Sequence, residues 1–353
     1  MSAPTSPGLA VTLVSGSDAV ANSVVARLLC GASPTDPPRE IEAPDVDDAE
    51  FATGLADDLA EASRNGLTGT TAIVLEPGTD VVEVALVLEH VLGGQEPAVA
   101  VGIRDVVAVS SVREILALLF VTGSDPSAFR RGGDFDSPGR LARRLEFASL
   151  IVLTDTASAP PELGLVQSFL ARLAPAARIV ALENLGNARP RAAAVVVRGR
   201  AHRLGAAMGW QQQLATGTPA TGRRAPIGAF VFRDPRPFHP ERLHEAIQQH
   251  LTPDRVGRIA RSRGFVRLAS RPERVGSWSS AGDVVDIDPT LMLNWDPESP
   301  VGQEIAFFGL DLDGDALAAV LGDCLVRGEE LVAGAGVWSR WADPFPEWTI
   351  HHH

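Results

Sequence analysis

The stretch Leu9-Ala-Val-Thr-Leu-Val-Ser-Gly-Ser-Asp-Ala-Val-Ala-Asn-Ser23 has the layout of a P-loop: an apolar strand, a glycine turn and the start of a helix. Its chemistry would be phosphate binding, with backbone N–H groups cradling the anion and a lysine ammonium neutralising the β- and γ-phosphates. That lysine is missing. All 31 basic residues of the 353 are arginine, and Asn22 stands where the ammonium belongs. A coding bias towards Arg, Ala, Gly and Pro would also remove lysines, so the local sequence decides, and it offers only a neutral amide.

Other residues capable of chemistry each have a plainer reading. His244 and His250 are six apart, which does not put two ligands on one helix face. His239, directly before Pro240, suits a cap or a packed turn better than a metal or acid–base role. Cys30 and Cys324, the only thiols, lie far apart and make neither a disulfide framework nor a zinc cluster. Asp45, Asp47, Asp48 and Glu50 could hold a hard cation weakly, against the simpler reading of a solvated acidic loop. Seven arginines fall between Arg255 and Arg274, among them Arg258, Arg261 and Arg263. They offer a basic stripe to RNA or an acidic partner, or they serve the fold. Trp338, Trp341 and Trp348 are either a strap closing a core or an anchor for a partner, since Trp and Arg dominate binding hot spots. No catalytic residue and no metal ligand emerges.

The length favours two domains. A formal charge of −13 argues against general charge-driven nucleic-acid binding, and sequence-specific DNA binding is not expected. The charge is uneven: Arg223–Arg274 carries twelve arginines against five carboxylates, while Gly31–Glu96 is acidic. The opening residues lack a signal peptide's basic and apolar regions, and no window reaches the length of a membrane helix, so a cytoplasmic location is expected. His351–His353 could be a tag remnant.

These residues must be positioned by two kinds of element. The first half alternates strands (Ala10–Val14, Ala72–Leu75, Val106–Val109, Leu150–Leu153, Arg178–Ala181) with helical stretches, which predicts an α/β fold: a mainly parallel sheet with helices on both faces, over residues 1–188. Residues 189–225 read as a connection. The second half, 226–350, predicts a smaller α+β domain with antiparallel strands at Ile227–Phe232, Gly264–Ala269, Val275–Ser279 and Gln303–Gly309. A helix starts at Pro240, where Phe238-His239-Pro240-Glu241 puts proline and an acid in its first turn.

Two segments carry a family resemblance: Phe230-Val-Phe-Arg-Asp-Pro-Arg-Pro-Phe-His-Pro-Glu-Arg-Leu243, and Arg261-Ser-Arg-Gly-Phe-Val-Arg-Leu-Ala-Ser-Arg-Pro-Glu-Arg274 running on to Trp278 and Ala281-Gly282. They resemble the C-terminal domain of the CobW family, metal-homeostasis members of the P-loop GTPases. The closing Trp341-Ala-Asp-Pro-Phe-Pro-Glu-Trp348 is similar to the ending of actinobacterial members thought to recruit a ribosome hibernation factor when zinc is scarce. Carried onto the first half, the resemblance implies a degenerate nucleotide site. Gly16 and Ser23 match the first P-loop glycine and the Mg²⁺-binding hydroxyl, and Glu76 matches the acidic residue after the second strand. Ala21 replaces the second glycine and Asn22 the lysine. The guanine-selecting Asn-Lys-x-Asp falls at Thr154-Asp155-Thr156-Ala157, where Ala157 lacks the carboxylate. The family's cysteine metal motif should precede Gly54-Leu-Ala-Asp57-Asp58-Leu59, yet 45–53 contains no cysteine.

The expectation is thus a CobW-like pseudo-GTPase that acts by protein interaction, with a hibernation factor or the ribosome as partner. Its cofactor is none, beyond weak nucleotide or Mg²⁺ at the vestigial Gly16, Ser23 and Glu76. Its interaction residues are Arg258, Arg261, Arg263, Trp341 and Trp348. A GTP-dependent zinc metallochaperone and a nucleotide-binding switch without hydrolysis stay open as alternatives.

Overall fold

The computed structural model describes residues 8–30, 39–40, 47–121, 136–158, 160–186, 199–216 and 226–348. The chain divides into two compact units, 1–115 with 143–208 and 116–142 with 209–353.

The first unit is built on six parallel strands: β1 (Leu9–Gly16), β2 (Arg39–Glu40), β3 (Gly69–Val74), β4 (Val101–Ser111), β5 (Leu150–Thr154) and β6 (Arg178–Ala181). Their order is β2-β3-β1-β4-β5-β6. The central strands are apolar runs rather than alternations because both faces are covered; neighbours Leu13 and Val14 are equally buried. The helices of this part of the chain are α1 (Ala19–Cys30), α2 (Asp48–Arg64), α3 (Val81–Gly94), α4 (Val112–Leu119), α5 (Asp136–Phe147), α6 (Pro160–Leu173), α7 (Leu182–Leu185) and α8 (Arg200–Ala206). After β1 the chain moves towards the β2 edge, and after β3 it crosses back to β4. Right-handed crossovers therefore put α1 on one face and α3 on the other. On the α1 face, Ala21 and Val25 pack with Val14, Val74, Val109 and Val152.

The second unit is an antiparallel sheet of β7 (Ile227–Asp234), β8 (Arg258–Val266), β9 (Arg274–Ala281), β10 (Val284–Leu293) and β11 (Gln303–Leu310), ordered β10-β9-β8-β11-β7. Its helices are α9 (Gly209–Thr216), α10 (Pro240–Gln249), α11 (Pro253–Val256), α12 (Gly314–Asp323), α13 (Gly328–Ala333) and α14 (Ala335–Trp338). One sheet face contributes Phe232, Trp278 and Phe307 to a core completed by Phe238, Leu243, Leu317 and Leu321. Phe238 explains the Arg-Pro-Phe-His-Pro element. Its backbone bonds Arg267 and Ala269, its ring is fully buried, and Pro240 opens α10 two residues later. Gly264 explains Arg-Gly-Phe: a Cβ there would lie 1.9 Å from the Glu304 carbonyl oxygen, so only glycine lets β8 and β11 approach.

Three expectations change. The 189–225 connection contains α8 in the first unit and α9 in the second; 187–198 and 217–225 lie outside the described residues. Strand β10 was not expected from a sequence holding Asp286, Asp288 and Pro289. It is tolerated because β10 is an edge, where a proline's missing N–H breaks no interior ladder. Helix α2 takes in Asp48 and Glu50, expected in a solvated acidic loop, because Asp47 caps it by accepting from the Glu50 N–H at 2.7 Å.

Candidate functional site

In an open parallel sheet, ligands bind beyond the carboxyl ends of the strands. That edge of the first unit carries the turns after β1, β3, β5 and β6, and with them every residue assigned to the vestigial nucleotide site.

The turn after β1 is only Ser17 and Asp18, for α1 begins at Ala19. A phosphate-wrapping loop needs its backbone N–H groups free and its helix to start later. Here Asp18 Oδ1 accepts from the N–H of Val20 at 2.9 Å and of Ala21 at 3.1 Å. A carboxylate of this chain thus occupies donors that a phosphate would use. Asn22 is fully buried and turned back on the turn, its Nδ2 donating to the Gly16 carbonyl at 3.0 Å. Its Oδ1 meets no hydrogen-bond partner among the described residues. A Cβ on Gly16 would meet that Oδ1 at 2.4 Å and the Val109 carbonyl at 2.6 Å, so this glycine makes room for Asn22 and β4 rather than for a ligand. Ser23 Oγ donates to the Ala19 carbonyl at 3.0 Å, a back-bond within its own helix. Glu76 is exposed on the turn after β3, with its backbone carbonyl bonded to Thr79. Gly16, Asn22 and Ser23 are therefore one cluster, and among the described hydrogen bonds Glu76 is not joined to it. This arrangement departs from a triphosphate–Mg²⁺ cradle at three points: the Val20 and Ala21 amides bond Asp18, the lysine position holds a buried amide, and the Ser23 hydroxyl bonds the Ala19 carbonyl.

The turn after β5 differs too. Asp155, at the lysine position of the guanine motif, has φ 52 and accepts from the Val112 N–H at 2.8 Å, tying β5 to the start of α4. Ala157 lines a pocket of about 570 Å³ with Thr156, Gln167, Ile179, Glu183 and Asn184. A carboxylate does stand there, but from the turn after β6: Thr156 Oγ1 donates to Glu183 Oε1, and that bond holds the Glu183 carboxyl below the usual range. Sequence reasoning missed Glu183, because nothing in Ala-Leu-Glu-Asn-Leu signals that it faces the β5 turn.

The described acidic residues of this segment are bonded locally. Asp47 caps α2, and Asp48 Oδ2 accepts from the Asp80 N–H at 2.8 Å; Asp45 lies outside the described residues. Burial, with Asp80 and Asp48 nearby, raises the Glu83 carboxyl. Among the described residues, no group of three or more His, Cys, Asp or Glu is gathered as for a metal ion. Cys324 is buried, which pushes its thiol up to about 12. His239 makes no side-chain cap bond and stacks on Trp341 with ring centres 4.6 Å apart. Burial first, and Arg242 second, lower its pKa.

The arginines read as one stripe are dispersed. Arg261 is fully buried, donating to Ser279 Oγ and the Ser280 carbonyl at 2.9 Å, so it presents no charge to a partner. Strand alternation puts Arg261, Arg263 and Phe265 on one sheet face, and α9 covers that face through Trp210, 5.8 Å from Phe265. Arg263 lies over the same Trp210 at 5.2 Å. Arg258 is half-buried, with Nη1 3.4 Å from the Phe120 carbonyl. The tail folds back on its own unit: Phe345 is buried, Asp343 pairs with Arg271, and Trp348 Nε1 donates to the Ile287 carbonyl at 2.9 Å.

The fold defines a two-unit protein: a parallel α/β sheet unit, then an antiparallel α+β unit. Residues 227–325 match the Cobalamin synthesis protein cobW C-terminal domain. The match lies within the second unit. The chain is 30% identical over 159 residues to the Zinc-regulated GTPase metalloprotein activator 1 of Dictyostelium discoideum, covering 38% of this chain and 33% of that protein. It thus spans about a third of the length of that curated relative. The zinc-bound YjiA GTPase of E. coli is 13% identical over 92% of this chain and 100% of its own, with a TM-score of 0.35. A zinc-bound triple mutant of YjiA gives 12%, 91%, 100% and 0.35. No helix among the described residues is long and apolar enough to cross a membrane.

Proposed function

We propose that this chain is a CobW-type protein whose first unit keeps a nucleotide-domain scaffold without phosphate chemistry, and that it acts by binding a protein partner. The observation that supports the reading is the two-residue turn after β1, where Asp18 occupies the N–H groups of Val20 and Ala21 while Asn22 closes on Gly16. A carboxylate at that position repels the phosphate that the helix end would otherwise attract. Calorimetric titration with GDP and Mg²⁺-GTP, together with multiple-turnover phosphate release, tests it. The expected result is release at the no-enzyme baseline. Guanine-selective binding in the micromolar range, or turnover at ordinary P-loop rates, overturns it. The tail's resemblance makes a ribosome hibernation factor, or the ribosome, the partner to try first.

A second reading, GTP-dependent zinc handling, is favoured by the likeness to a zinc-regulated activator over 159 residues. Against it stand the two separated cysteines and the cysteine-free stretch before Gly54. Near-stoichiometric zinc surviving dialysis against a mild chelator supports that reading.

A further inference from the structure

A cleft of about 320 Å³ opens in the second unit between the 270–274 turn, which joins β8 to β9, and the end of the tail. Ser270, Arg271, Glu273, Arg274, Ser339 and Trp348 line it. Arg271 is its fixed point. Asp343 accepts from its Nε at 2.7 Å and the Phe345 carbonyl from Nη2 at 3.0 Å, while the Trp348 ring lies 4.5 Å from the guanidinium carbon. Nη1 is buried and meets no acceptor among the described residues. A guanidinium carries five donors in a rigid fork, and a buried one left unmet is costly until an oxygen reaches it.

Charge narrows the ligand. Asp343 balances Arg271, so the spare positive charge is that of Arg274, whose side chain pairs with no carboxylate among the described ion pairs. Glu273 beside it tempers that charge. One carboxylate suits this balance, whereas a dianionic phosphate would face Glu273 uncompensated. The Trp348 face supplies the apolar wall that a neighbouring side chain or peptide plane needs. The loop after β10 is hydrogen-bonded to this turn. Asn294 donates to the Pro272 carbonyl at 2.5 Å through its side chain and to the Glu273 carbonyl at 3.0 Å through its backbone. The next residue, Trp295, is 67% exposed on a loop that Arg267 pins by donating to the Asn294 and Pro300 carbonyls. Exposed tryptophan on a braced loop is the kind of residue that dominates protein interfaces.

We propose that this cleft binds an acidic side chain of a partner polypeptide, its carboxylate between Arg271 Nη1 and Arg274, with flanking apolar residues against Trp348 and Trp295. The proposal adds a place and a ligand chemistry to the interaction reading, and it stands whether or not the first unit binds nucleotide. The test titrates the full chain, without nucleotide, with the acetylated pentapeptide AEFEA and its glutamine counterpart AQFQA. Binding is followed calorimetrically and by the indole N–H resonances. AEFEA should bind saturably and about tenfold more tightly than AQFQA, with the difference shrinking as salt is raised. Arg274→Gln should erase the preference, and Trp295→Ala should weaken binding about three- to tenfold without lowering the melting temperature. Arg271→Gln releases the tail and cannot decide alone, which is why Arg274 and Trp295 carry the test. Equal binding of the two peptides, an unaffected Arg274→Gln variant, or displacement of AEFEA by equimolar inorganic phosphate overturns the proposal. None of these outcomes bears on phosphate release, so failure here and failure of the pseudo-GTPase reading are separately visible.

Discussion

Asp18 and Asn22 act on the same two backbone turns from opposite directions, one by capping α1 and the other by bracing the strand it leaves. Replacing Asp18 by Ala removes a helix cap, which costs about 0.5–2 kcal/mol and lowers the melting temperature. It should not create a nucleotide site, because Asn22 still fills the turn beneath. A calorimetric titration of Asp18→Ala with GDP is expected to stay flat; micromolar binding would mean that Asp18 alone had been the obstacle. Asn22→Lys restores the P-loop residue type but puts an ammonium at a fully buried position with no carboxylate bonded to it. An uncompensated buried charge of that kind costs about 3–5 kcal/mol. The expected result is a protein that melts much earlier and still releases no phosphate. Glu183 extends the argument to base selection. Ala157 cannot accept from the guanine edge, so GDP and ADP should bind equally weakly. If GDP is favoured and Glu183→Gln abolishes the preference, the carboxylate fixed by Thr156 has taken over the role.

At the level of single elements, strand β10 carries a large titration effect. Asp286 and Asp288 are two apart on this edge strand and share a face. Burial, then the Asp288 charge, pushes the Asp286 carboxyl up to about 7 from an ordinary value of 3.8. The folded protein therefore holds a proton that the unfolded chain releases near pH 4. Stability falls as pH rises between those two values, and the full penalty is present above about 7. After allowance for solvent screening at a partly exposed site, the loss is on the order of 1–2 kcal/mol. Asp286→Asn should remove it: chemical denaturation at pH 8 should show a more stable variant, and at pH 4 no difference. A variant equally stabilised at both pH values would assign the gain to packing rather than to the proton.

The same strand shows where sequence and structure part. The parallel sheet was legible because apolar runs such as Leu150-Ile-Val-Leu153 need cover on both faces, and α10 because Pro240 and Glu241 mark its start. Strand β10 was hidden by two aspartates and a proline, residues that only an edge position excuses. The arginine cluster was legible as charge but not as location. Period-two alternation places Arg261 and Arg263 together, but sequence gives no sign that α9 lies over that face. At the strand ends, residue types disclosed the departures from the family pattern at Ala21, Asn22 and Ala157. The replacements by Asp18 and Glu183 depend on backbone direction and on strand order, which no local pattern encodes.

For the molecule as a whole, the two units make opposed demands on an experiment. If the first unit is a scaffold, adding GDP, GTP or Mg²⁺ should leave partner association unchanged, and Asp18→Ala should behave like the wild type. If association runs through the second unit, it should weaken as salt is raised from about 50 to 300 mM, since solvent-exposed charges are screened over about 8 Å at physiological ionic strength. Arg261 gives a useful contrast. Arg261→Ala empties a buried guanidinium site and leaves Ser279 and the Ser280 carbonyl without their donor, so it should lower stability by about 1–3 kcal/mol. Any effect it has on association should then disappear at a temperature well below its melt. Affinity capture from zinc-starved and zinc-replete cells, followed by sedimentation with ribosomes in low and high salt, measures all of this on the full chain. The expected pattern is salt-sensitive, nucleotide-independent association. Capture that requires GTP and is abolished by Ser23→Ala would overturn it, because it would give Ser23 a nucleotide role that the scaffold reading denies.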